Sequence, residues 1–427
     1  MQRMNWGKTF VIGLGFFGVS VLWSLYNTYV PLLLDQRFGM DSVMVGFFMS
    51  LDNIAALFIQ PPVGALSDRL RTPLGRRLPF ILIGAPIAAI AFGLIPLANA
   101  LPLFVACTVT TILSMAFWRT PVVALMPDVT PSRYRSQANG IINFMGGLGV
   151  VIGTSVGSML VKQNEAYPFW FGSALVLLAA VLVLIFVKEP KVYDDAVPTE
   201  RPNLWAKLGE LFSGKMPGLR IFLAILFWFI AYNAIEAFLS LYGVNHLGLS
   251  TSEAGKLITS VSFAFLIFAI PAGYIGGRFG RRNTILTGLT IMIAATLSIF
   301  FMGKETLTST VIPSLPILGR IMPLTLVLML AGIGWSLINI NSLPMVVDLT
   351  EPIYIGTFTG LYYLFSTLAA IIGPNLNGWI VKLAGNDYGA IMFAAPIFFT
   401  IALISMAGVK AGEAHQEANI LPQDTGK

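Results

Sequence analysis

The chain has 427 residues, of which 56% are hydrophobic and only 11% charged, and its mean hydropathy is +0.79. Ordinary soluble domains carry about a quarter charged residues, so this composition excludes a soluble enzyme, a nucleic-acid-binding protein and a disordered chain. A single cysteine, Cys107, and two widely separated histidines, His246 and His415, exclude a disulfide framework and give no metal-ligand spacing. We therefore expect a protein of the lipid bilayer that binds no nucleic acid and holds neither a metal nor another cofactor.

Twelve apolar windows are each long enough to cross a bilayer, which takes about 20 residues in a helix. They cover residues 10–34, 43–66, 78–98, 101–126, 137–160, 168–187, 219–243, 252–276, 283–302, 322–347, 355–382 and 388–408. No convincing small-residue cleavage site follows the first window, which indicates a helix and not a signal peptide. The windows predict an all-α membrane protein with twelve transmembrane helices.

Most of the 26 lysine and arginine residues fall on the side of these windows that carries both termini. By the positive-inside rule this side is cytoplasmic, and we expect the protein in a bacterial inner (plasma) membrane. The longest polar break divides the chain into two blocks of six windows. We predict an N-terminal six-helix bundle at 1–187, a cytoplasmic linker at 188–218, a C-terminal six-helix bundle at 219–410 and a cytoplasmic tail at 411–427.

The two blocks contain the same local patterns in the same order. The matches are Tyr26-Asn27 with Tyr232-Asn233, Gly64 and 75–77 with Gly273 and 280–282, 128–130 with 348–350, and Gly140 and 152–153 with Gly360 and 372–373. Six spans repeated in parallel are typical of a transporter in which two pseudo-symmetric bundles rock around a central site.

The segment 64–77, with the sequence GALSDRLRTPLGRR, resembles the loop signature of the major facilitator superfamily. Together with Gln60-Pro61 before it and 78–80 after it, the segment resembles the glycoside–pentoside–hexuronide cation symporters, and among them the sucrose–proton symporters. The stretch 121–128 in the fourth span is also similar to these sucrose transporters. The resemblance implies the major facilitator fold and transport of a sugar with a cation.

Carboxylates stand beside the basic clusters at the ends of several spans. We expect carboxylate–guanidinium pairs there that latch the two bundles in the outward-open state. The alternative is that the arginines only set the topology. The predicted gating residues are Asp68, Arg69, Arg76, Arg77, Asp128, Arg278, Arg281, Arg282 and Asp348.

Three charged residues, Asp52, Arg119 and Glu236, lie well inside spans, where a charge costs at least about 2.5–3.5 kcal/mol and therefore faces a cavity. Burial favours the protonated form of a carboxyl group, as a proton carrier requires, so Asp52 is our candidate for proton coupling. It could equally serve a sodium site or be a structural acid. Arg119 never loses its proton, and it can hold a carboxylate ionised or donate to sugar hydroxyls. Glu236 either takes part in coupling or lies at the outer mouth.

Superfamily members line their cavity mainly with spans 1, 4, 7 and 10, and each of these spans contains a tryptophan here. Sugar rings stack their C–H faces on aromatic rings, and their hydroxyls need neutral donors and acceptors. A lipophilic-drug carrier would need fewer amides, and the tryptophans could instead serve packing or interfacial belts. The predicted substrate-binding residues are Trp23, Tyr26, Asn27, Asn53, Gln60, Trp118, Arg119, Asn143, Trp228, Tyr232, Asn233, Trp335, Asn339 and Asn341.

The leading interpretation is a secondary active transporter that carries a sucrose- or maltose-like di- or oligosaccharide together with H⁺, acting as a monomer. A sodium-coupled sugar symporter and a proton-antiport exporter of an amphiphilic compound are the alternatives. We expect no enzymatic activity, since no ATP-binding loop, metalloprotease helix or nucleophile elbow is present. An intramembrane enzyme or a sensor would not need two gated bundles.

Overall fold

The computed structural model describes residues 6–130, 135–189, 218–348 and 355–409. Twelve long helices make up nearly all of it. They are α1 (Trp6–Gln36), α2 (Ser42–Arg69), α3 (Leu78–Leu94), α4 (Leu101–Val129), α5 (Arg135–Leu160), α6 (Tyr167–Phe186), α7 (Leu219–Leu241), α8 (Thr251–Phe279), α9 (Arg281–Phe301), α10 (Pro323–Asp348), α11 (Ile355–Leu383) and α12 (Ala390–Ala407). All twelve contain an apolar stretch long enough to cross a membrane, which confirms the predicted number of spans.

A short hairpin is the one departure from helix in the described ranges that the sequence did not predict. Its strands, β1 (Ile312–Leu315) and β2 (Gly319–Ile321), pair antiparallel between α9 and α10. In the sequence these residues fall in the gap between the apolar windows 283–302 and 322–347. Most of the predicted linker and the whole predicted tail lie outside the described residues, so those domain boundaries stay predictions.

The helix ends follow local sequence signals. The side chain of Asp41 accepts from the backbone N–H of Met44 at 2.9 Å and caps α2. Ser250 and Glu253 form a capping box at the start of α8, which satisfies donors that the first turn leaves free. Gly280, with φ of 88°, separates α8 from α9 in a backbone conformation that residues other than glycine rarely adopt.

The two halves of the chain pack in the same way. In the first bundle α1 contacts α5 and α6, α3 contacts α4 and α6, and α2 contacts α4. In the second bundle the equivalent pairs are α7 with α11 and α12, α9 with α10 and α12, and α8 with α10. This shared pairing is what the sequence repeat predicts. The main contacts between the bundles are α2 with α11 and α5 with α8.

We call the end of the bundles where α2 meets α3 and α8 meets α9 the basic end, because Arg69, 76–77 and 281–282 lie there. The other end, which carries the α1–α2, α5–α6, α7–α8 and α11–α12 connections, is the opposite end.

The bundles are joined at the opposite end. On the α2–α11 side, Ser42 Oγ donates to the Gly378 carbonyl at 2.8 Å and Asn375 Nδ2 donates to Ser50 Oγ at 2.9 Å. On the α5–α8 side, Thr259 Oγ1 donates to Thr154 Oγ1 at 2.8 Å. Lys382 of α11 also pairs with Asp41, the cap of α2, at 2.8 Å. Hydroxyl, amide and backbone groups and this exposed ion pair thus close this end.

The same helix faces separate toward the basic end. About three helical turns further along these four helices lie Pro61, Phe144, Ile270 and Tyr363. All four are exposed, with exposed fractions of 47% for Phe144 and 80% for Ile270. The structure is therefore closed at the opposite end and open between the bundles toward the basic end.

Candidate functional site

A cavity of about 320 Å³ lies between the two bundles, near the middle of the helices. Both bundles contribute to it, through α1, α2, α4 and α5 from the first and α7 and α8 from the second. Its lining residues are Phe16, Val19, Ser20, Trp23, Ser24, Asn27, Asp52, Asn53, Arg119, Val122, Val123, Val150, Asn233, Glu236 and Ile258. A volume of this size lies at the lower end of the roughly 300–1,000 Å³ found for small-molecule sites.

All three charged residues predicted inside spans line this cavity. Asp52 lies close enough to Arg119 and to Glu236 for electrostatic interaction with both, and its Oδ1 accepts from Asn53 Nδ2 at 2.8 Å. The Arg119 side chain is exposed although it lies in mid-helix, because it faces the cavity and not lipid. Asp52 belongs to the first bundle and Glu236 to the second. Movement between the bundles therefore changes the separation of the two carboxylates.

Three amides, one tryptophan, Ser20 and Ser24 make up the rest of the polar lining. Asn27 faces the carboxylate of Glu236 across the bundle interface. Asn233 Nδ2 donates to the Phe229 carbonyl at 2.7 Å, which leaves the amide oxygen to accept from a ligand. Trp23 packs edge-on against Tyr26, with ring centroids 5.4 Å apart. Its Nε1 is buried and finds no acceptor among the described residues, and such an unpartnered donor next to a cavity marks a place where a small shift would let a solute accept from it.

The other predicted aromatic residues lie outside the lining. Trp118 is fully buried in the first bundle, with its Nε1 3.2 Å from Met115 Sδ, and Trp228 is fully buried in the second. Tyr26 is also fully buried. Tyr232 and Trp335 stack on each other in parallel at 3.8 Å. An aromatic side chain on a cavity-forming helix thus packs against other helices as readily as it faces the cavity.

Four predicted polar residues also lie outside the lining. Asn341 is buried and donates to the carbonyls of Ala272 and Leu337 at 3.1 and 2.9 Å, which joins α8 to α10. Gln60 and Asn339 are partly buried, and Asn143 is exposed. None of these four residues is among those that line the described cavity.

Some lining residues were missed by the sequence analysis. Phe16, Ser20 and Ser24 share one face of α1 with Trp23 and Asn27. Their spacing of three or four residues is the helical period, so extending the pattern from the two predicted residues along the helix would have found them. Val19 on α1 and Val122 and Val123 on α4 stand three or four residues from the predicted Trp23 and Arg119 and follow the same period.

The basic end holds a network of ion pairs within the first bundle. Asp128 accepts from Arg76 Nη2 at 2.5 Å and from Arg77 Nε at 2.9 Å, and Arg77 Nη2 also donates to Asp68 at 2.5 Å. Glu189, which the sequence analysis did not identify, accepts from three backbone N–H groups at 76–78, at 2.7 to 2.9 Å. Its carboxylate occupies the space where a Cβ on Gly75 would lie.

Three of the remaining predicted gating residues, Arg69, Arg278 and Arg282, lie outside the ion pairs described for that network. Arg69 and Arg278 are exposed, and Arg278 lies over the ring of Phe279. Arg282 donates to the Ala407 carbonyl at 2.6 Å within the second bundle. Arg281 is partly buried, and the side chain of Asp348 lies outside the described part of the chain. The described pairs at this end all join parts of one bundle. The latch between the bundles, which was predicted for the outward-open state, therefore stays a prediction.

Loss of the Asp128 carboxylate is expected to destabilise the first bundle. In Asp128→Asn two nearly buried arginines lose their shared charge partner, and breaking such a pair costs about 3 kcal/mol of unfolding free energy. Glu165→Gln, which removes the exposed partner of Arg37, should cost less than about 1 kcal/mol. Equilibrium unfolding of both variants in detergent micelles measures the difference. Equal stability of the two variants would contradict this account of the network.

The chain matches the model of the Major Facilitator Superfamily over residues 12–374 and 244–423. The chain belongs to this superfamily. As a member it is a secondary transporter, and it lies in a membrane. Multidrug resistance protein 1 of Bacillus subtilis (strain 168) is 24% identical over 425 residues, which covers 96% of this chain and 100% of that protein. Quinolone resistance protein NorA of Staphylococcus aureus (strain COL) is 21% identical over 422 residues, with 96% and 95% covered.

Solved structures agree with this assignment at the level of the fold. A point mutant of the nucleoside transporter NupG gives a TM-score of 0.74 at 14% identity, covering 94% of this chain and 99% of that one. A bacterial homologue of the human lysosomal transporter Spinster, in an inward-facing and occupied conformation, gives 0.67 at 16% identity, with 93% and 95% covered. None of these four names refers to a sugar, so the resemblance to sugar–cation symporters stays a prediction.

Proposed function

We propose that this superfamily member is a proton-coupled importer of a di- or oligosaccharide and has no enzymatic activity. The observation that carries the proposal is the cavity lining, which combines two carboxylates and one arginine with three amides and a tryptophan. Because the cavity lies wholly within one chain, we propose that a monomer is the working unit.

The lining suits a neutral, hydroxyl-rich solute. Asn27, Asn53 and Asn233 offer acceptors and donors without net charge, and Trp23 offers a ring face and an N–H donor. Hydroxyl groups can satisfy all of these. An apolar solute would leave the amides and the charges without partners, at a cost of about 1–3 kcal/mol for each buried polar group.

The three charges suit coupling to a cation. Arg119 stays protonated, so any proton must be carried by Asp52 or Glu236. The two carboxylates and one guanidinium carry a net charge of about −1 when both acids are ionised, and one proton makes the group neutral. We propose that protonation of Asp52 favours sugar binding from outside and that its deprotonation toward the cytoplasm releases the sugar.

We further propose that the basic end faces the cytoplasm of a bacterium, as the excess of lysine and arginine indicates. The conformation that is open at the basic end is then the one that releases solute inward. The bundles at 1–187 and 219–410 would rock about the cavity to expose it to the other side.

The proposal is tested by the thermal stability of the purified protein with a panel of sugars that includes sucrose and maltose. A bound solute raises the unfolding midpoint, since it binds only the folded state. We expect a shift with one of these sugars that is larger at pH 5.5 than at pH 7.5 and independent of sodium. A shift that requires sodium would mean that Na⁺ and not H⁺ is the coupling ion. The absence of a shift with every sugar would contradict the proposal that the substrate is a sugar.

Export of an amphiphilic compound is the second candidate, because the two relatives are named for multidrug and quinolone resistance. At 21–24% identity their substrates are not transferred directly. The same panel therefore includes ethidium and a fluoroquinolone. Stabilisation by one of these compounds, together with protection of expressing cells against it, would favour the exporter.

Replacing Trp23 is expected to weaken solute binding modestly. In Trp23→Phe the aromatic face remains and the Nε1 donor is lost, so affinity for the stabilising sugar should fall about threefold to tenfold. Trp170→Phe is the matched control, because Trp170 lies on α6 away from the cavity and donates to the Gly93 carbonyl. Titration calorimetry measures both affinities. An unchanged affinity in Trp23→Phe would show that the Nε1 of Trp23 does not bind the solute.

A further inference from the structure

The hairpin β1–β2 is anchored to the second bundle. The backbone N–H of Val311 donates to the Ile321 carbonyl at 2.8 Å and ties the base of the hairpin. Arg320 pairs with Glu253, in the first turn of α8, at 2.8 Å. Both anchors lie within the second bundle, so a movement between the bundles leaves them intact.

The tip of the hairpin reaches the first bundle. The Ile317 carbonyl accepts from Ser155 Oγ of α5 at 3.0 Å and from Lys256 Nζ of α8 at 2.7 Å. Lys256 Nζ also lies 3.3 Å from Ser155 Oγ and 3.4 Å from the Ser155 carbonyl. One ammonium group therefore joins the hairpin tip to α5 and α8, at the line where the bundles meet.

The turn of the hairpin is shaped for this contact. Gly319 has φ of 71°, and the aliphatic stem of Lys256 lies 3.6 Å from the position that a Cβ there would take. The Ile317 side chain is exposed, with an exposed fraction of 41%, so the backbone carbonyl and not the side chain makes the contact. The geometry of the contact is thus set by backbone conformation.

The α5–α8 seam beneath the tip contains no other charge among its described hydrogen bonds. Thr154 pairs with Thr259, and Ser252 donates to the Ser158 carbonyl. Neutral hydroxyl pairs exchange for water at little net cost, about 0.5–1.5 kcal/mol each. The 2.7 Å bond from Lys256 to the Ile317 carbonyl lies within the second bundle and positions the ammonium group. The same group makes two contacts across the seam with Ser155, at 3.3 and 3.4 Å, and hydrogen bonds to a charged group are stronger than those between neutral groups.

We propose that the hairpin is a strap that latches the opposite end closed, with Lys256 as its positioning residue. When this end opens, the contacts of Ile317 and Lys256 with Ser155 must break, and the Arg320–Glu253 anchor is retained. The strap then stays with the second bundle and leaves α5. This inference rests on alternating access and is independent of which solute or ion is carried.

The first test measures opening without any solute. Spin labels at Gln163→Cys and Ala384→Cys report the separation of the bundles at the opposite end, and the one native cysteine, Cys107, is buried. We expect Lys256→Met to increase the ratio of long to short distances about tenfold, and Lys256→Arg to restore the original ratio. An unchanged ratio in Lys256→Met, or a failure of Lys256→Arg to restore it, would overturn the latch.

The second test fixes the strap in place. A disulfide between Ser155→Cys and Ile317→Cys should hold the labelled sites at the short distance until reductant is added. The matched control is a disulfide between Ile312→Cys and Ile321→Cys, which are register partners within the hairpin and should leave opening unaffected. The proposal is overturned if the opposite end still opens once the strap disulfide has formed. The Ile317 side chain points outward, so if the two side chains do not bridge, the comparison of Lys256→Met with Lys256→Arg decides the proposal.

Discussion

Gly46→Ala is expected to disfavour closure of the opposite end and to reduce transport about tenfold. A Cβ on Gly46 of α2 would collide with the Pro374 carbonyl oxygen of α11 and lie 3.0 Å from its carbonyl carbon. These are backbone atoms that cannot rotate away. Overpacking of this kind costs about 1–3 kcal/mol, which falls only on the conformation in which the two helices touch. The equilibrium should shift about tenfold or more toward the conformation open at this end.

Gly378 makes the reciprocal contact and gives an independent check. A Cβ there would meet the Ser42 carbonyl oxygen and lie 2.9 Å from the Cα of Val43. Gly378→Ala should therefore give the same shift as Gly46→Ala. The double variant should shift the equilibrium little more than either single variant, because one collision is enough to hold α2 and α11 apart.

Gly277→Ala is the matched control for both variants. Gly277 also lies within a membrane helix, α8, and nothing is within 4 Å of its Cβ position. Alanine favours helix over glycine by about 0.5–1 kcal/mol, so this control separates helix propensity from the collision. Spin-label distances across the opposite end measure the populations. Wild-type distances and transport in Gly46→Ala would show that the close contact is not required for closure.

The twelve helices could be predicted because lipid imposes a severe rule on sequence. Every backbone polar group in the hydrocarbon must be paired within its own segment, so a long apolar window leaves helix as the solution. The hairpin at 312–321 is subject to no such rule, since it lies outside the apolar windows and water can satisfy its backbone. Its pairing depends on contacts with α8 that are distant in sequence.

The charged part of the cavity could be predicted for the same physical reason. Asp52, Arg119 and Glu236 stand out because a charge in a span is costly unless it faces water or a partner. Tryptophan carries no such cost. Trp23 lines the cavity and Trp228 is buried in helix packing, although both lie on cavity-forming helices near a Tyr-Asn pair. Only the rotation of each helix within the fold decides between these positions.

Glu189 shows a third limit of sequence reasoning. It lies near the end of α6 and accepts from the backbone at the start of α3, more than a hundred positions earlier in the chain. Backbone donors carry no residue-type signal, so nothing in the segment 76–78 indicates a carboxylate partner. The glycine at position 75 is consistent with close approach, but it does not identify the group that approaches.

Asp52→Asn is expected to abolish accumulation of solute against a gradient and to retain exchange of solute across the membrane. An asparagine has nearly the size of the aspartic acid and is always uncharged, so it imitates the protonated carboxyl and cannot release a proton. The Asn53 side chain and Arg119 remain beside it. Solute can then bind and the bundles can move, but the proton gradient has no group through which to act.

Proteoliposomes with sucrose or maltose, whichever stabilises the protein more, separate the two activities. Uptake driven by an inward proton gradient should fall to the level of empty vesicles in Asp52→Asn, and counterflow at equal pH should stay within about threefold of wild type. Solute affinity should also lose its dependence on pH, because wild-type binding strengthens as acid protonates Asp52. Glu305→Gln is the matched control, since Glu305 is exposed at the opposite end outside the cavity.

Glu236→Gln decides whether one carboxylate or two carry the proton. Because Glu236 interacts electrostatically with Asp52 from the other bundle, closing the cavity with both acids ionised brings two negative charges together near a single arginine. If Asp52 alone carries the proton, Glu236→Gln should keep gradient-driven uptake and shift its pH dependence. Loss of driven uptake in Glu236→Gln but not in Asp52→Asn would assign the coupling to the second bundle and reverse the roles proposed for the two acids.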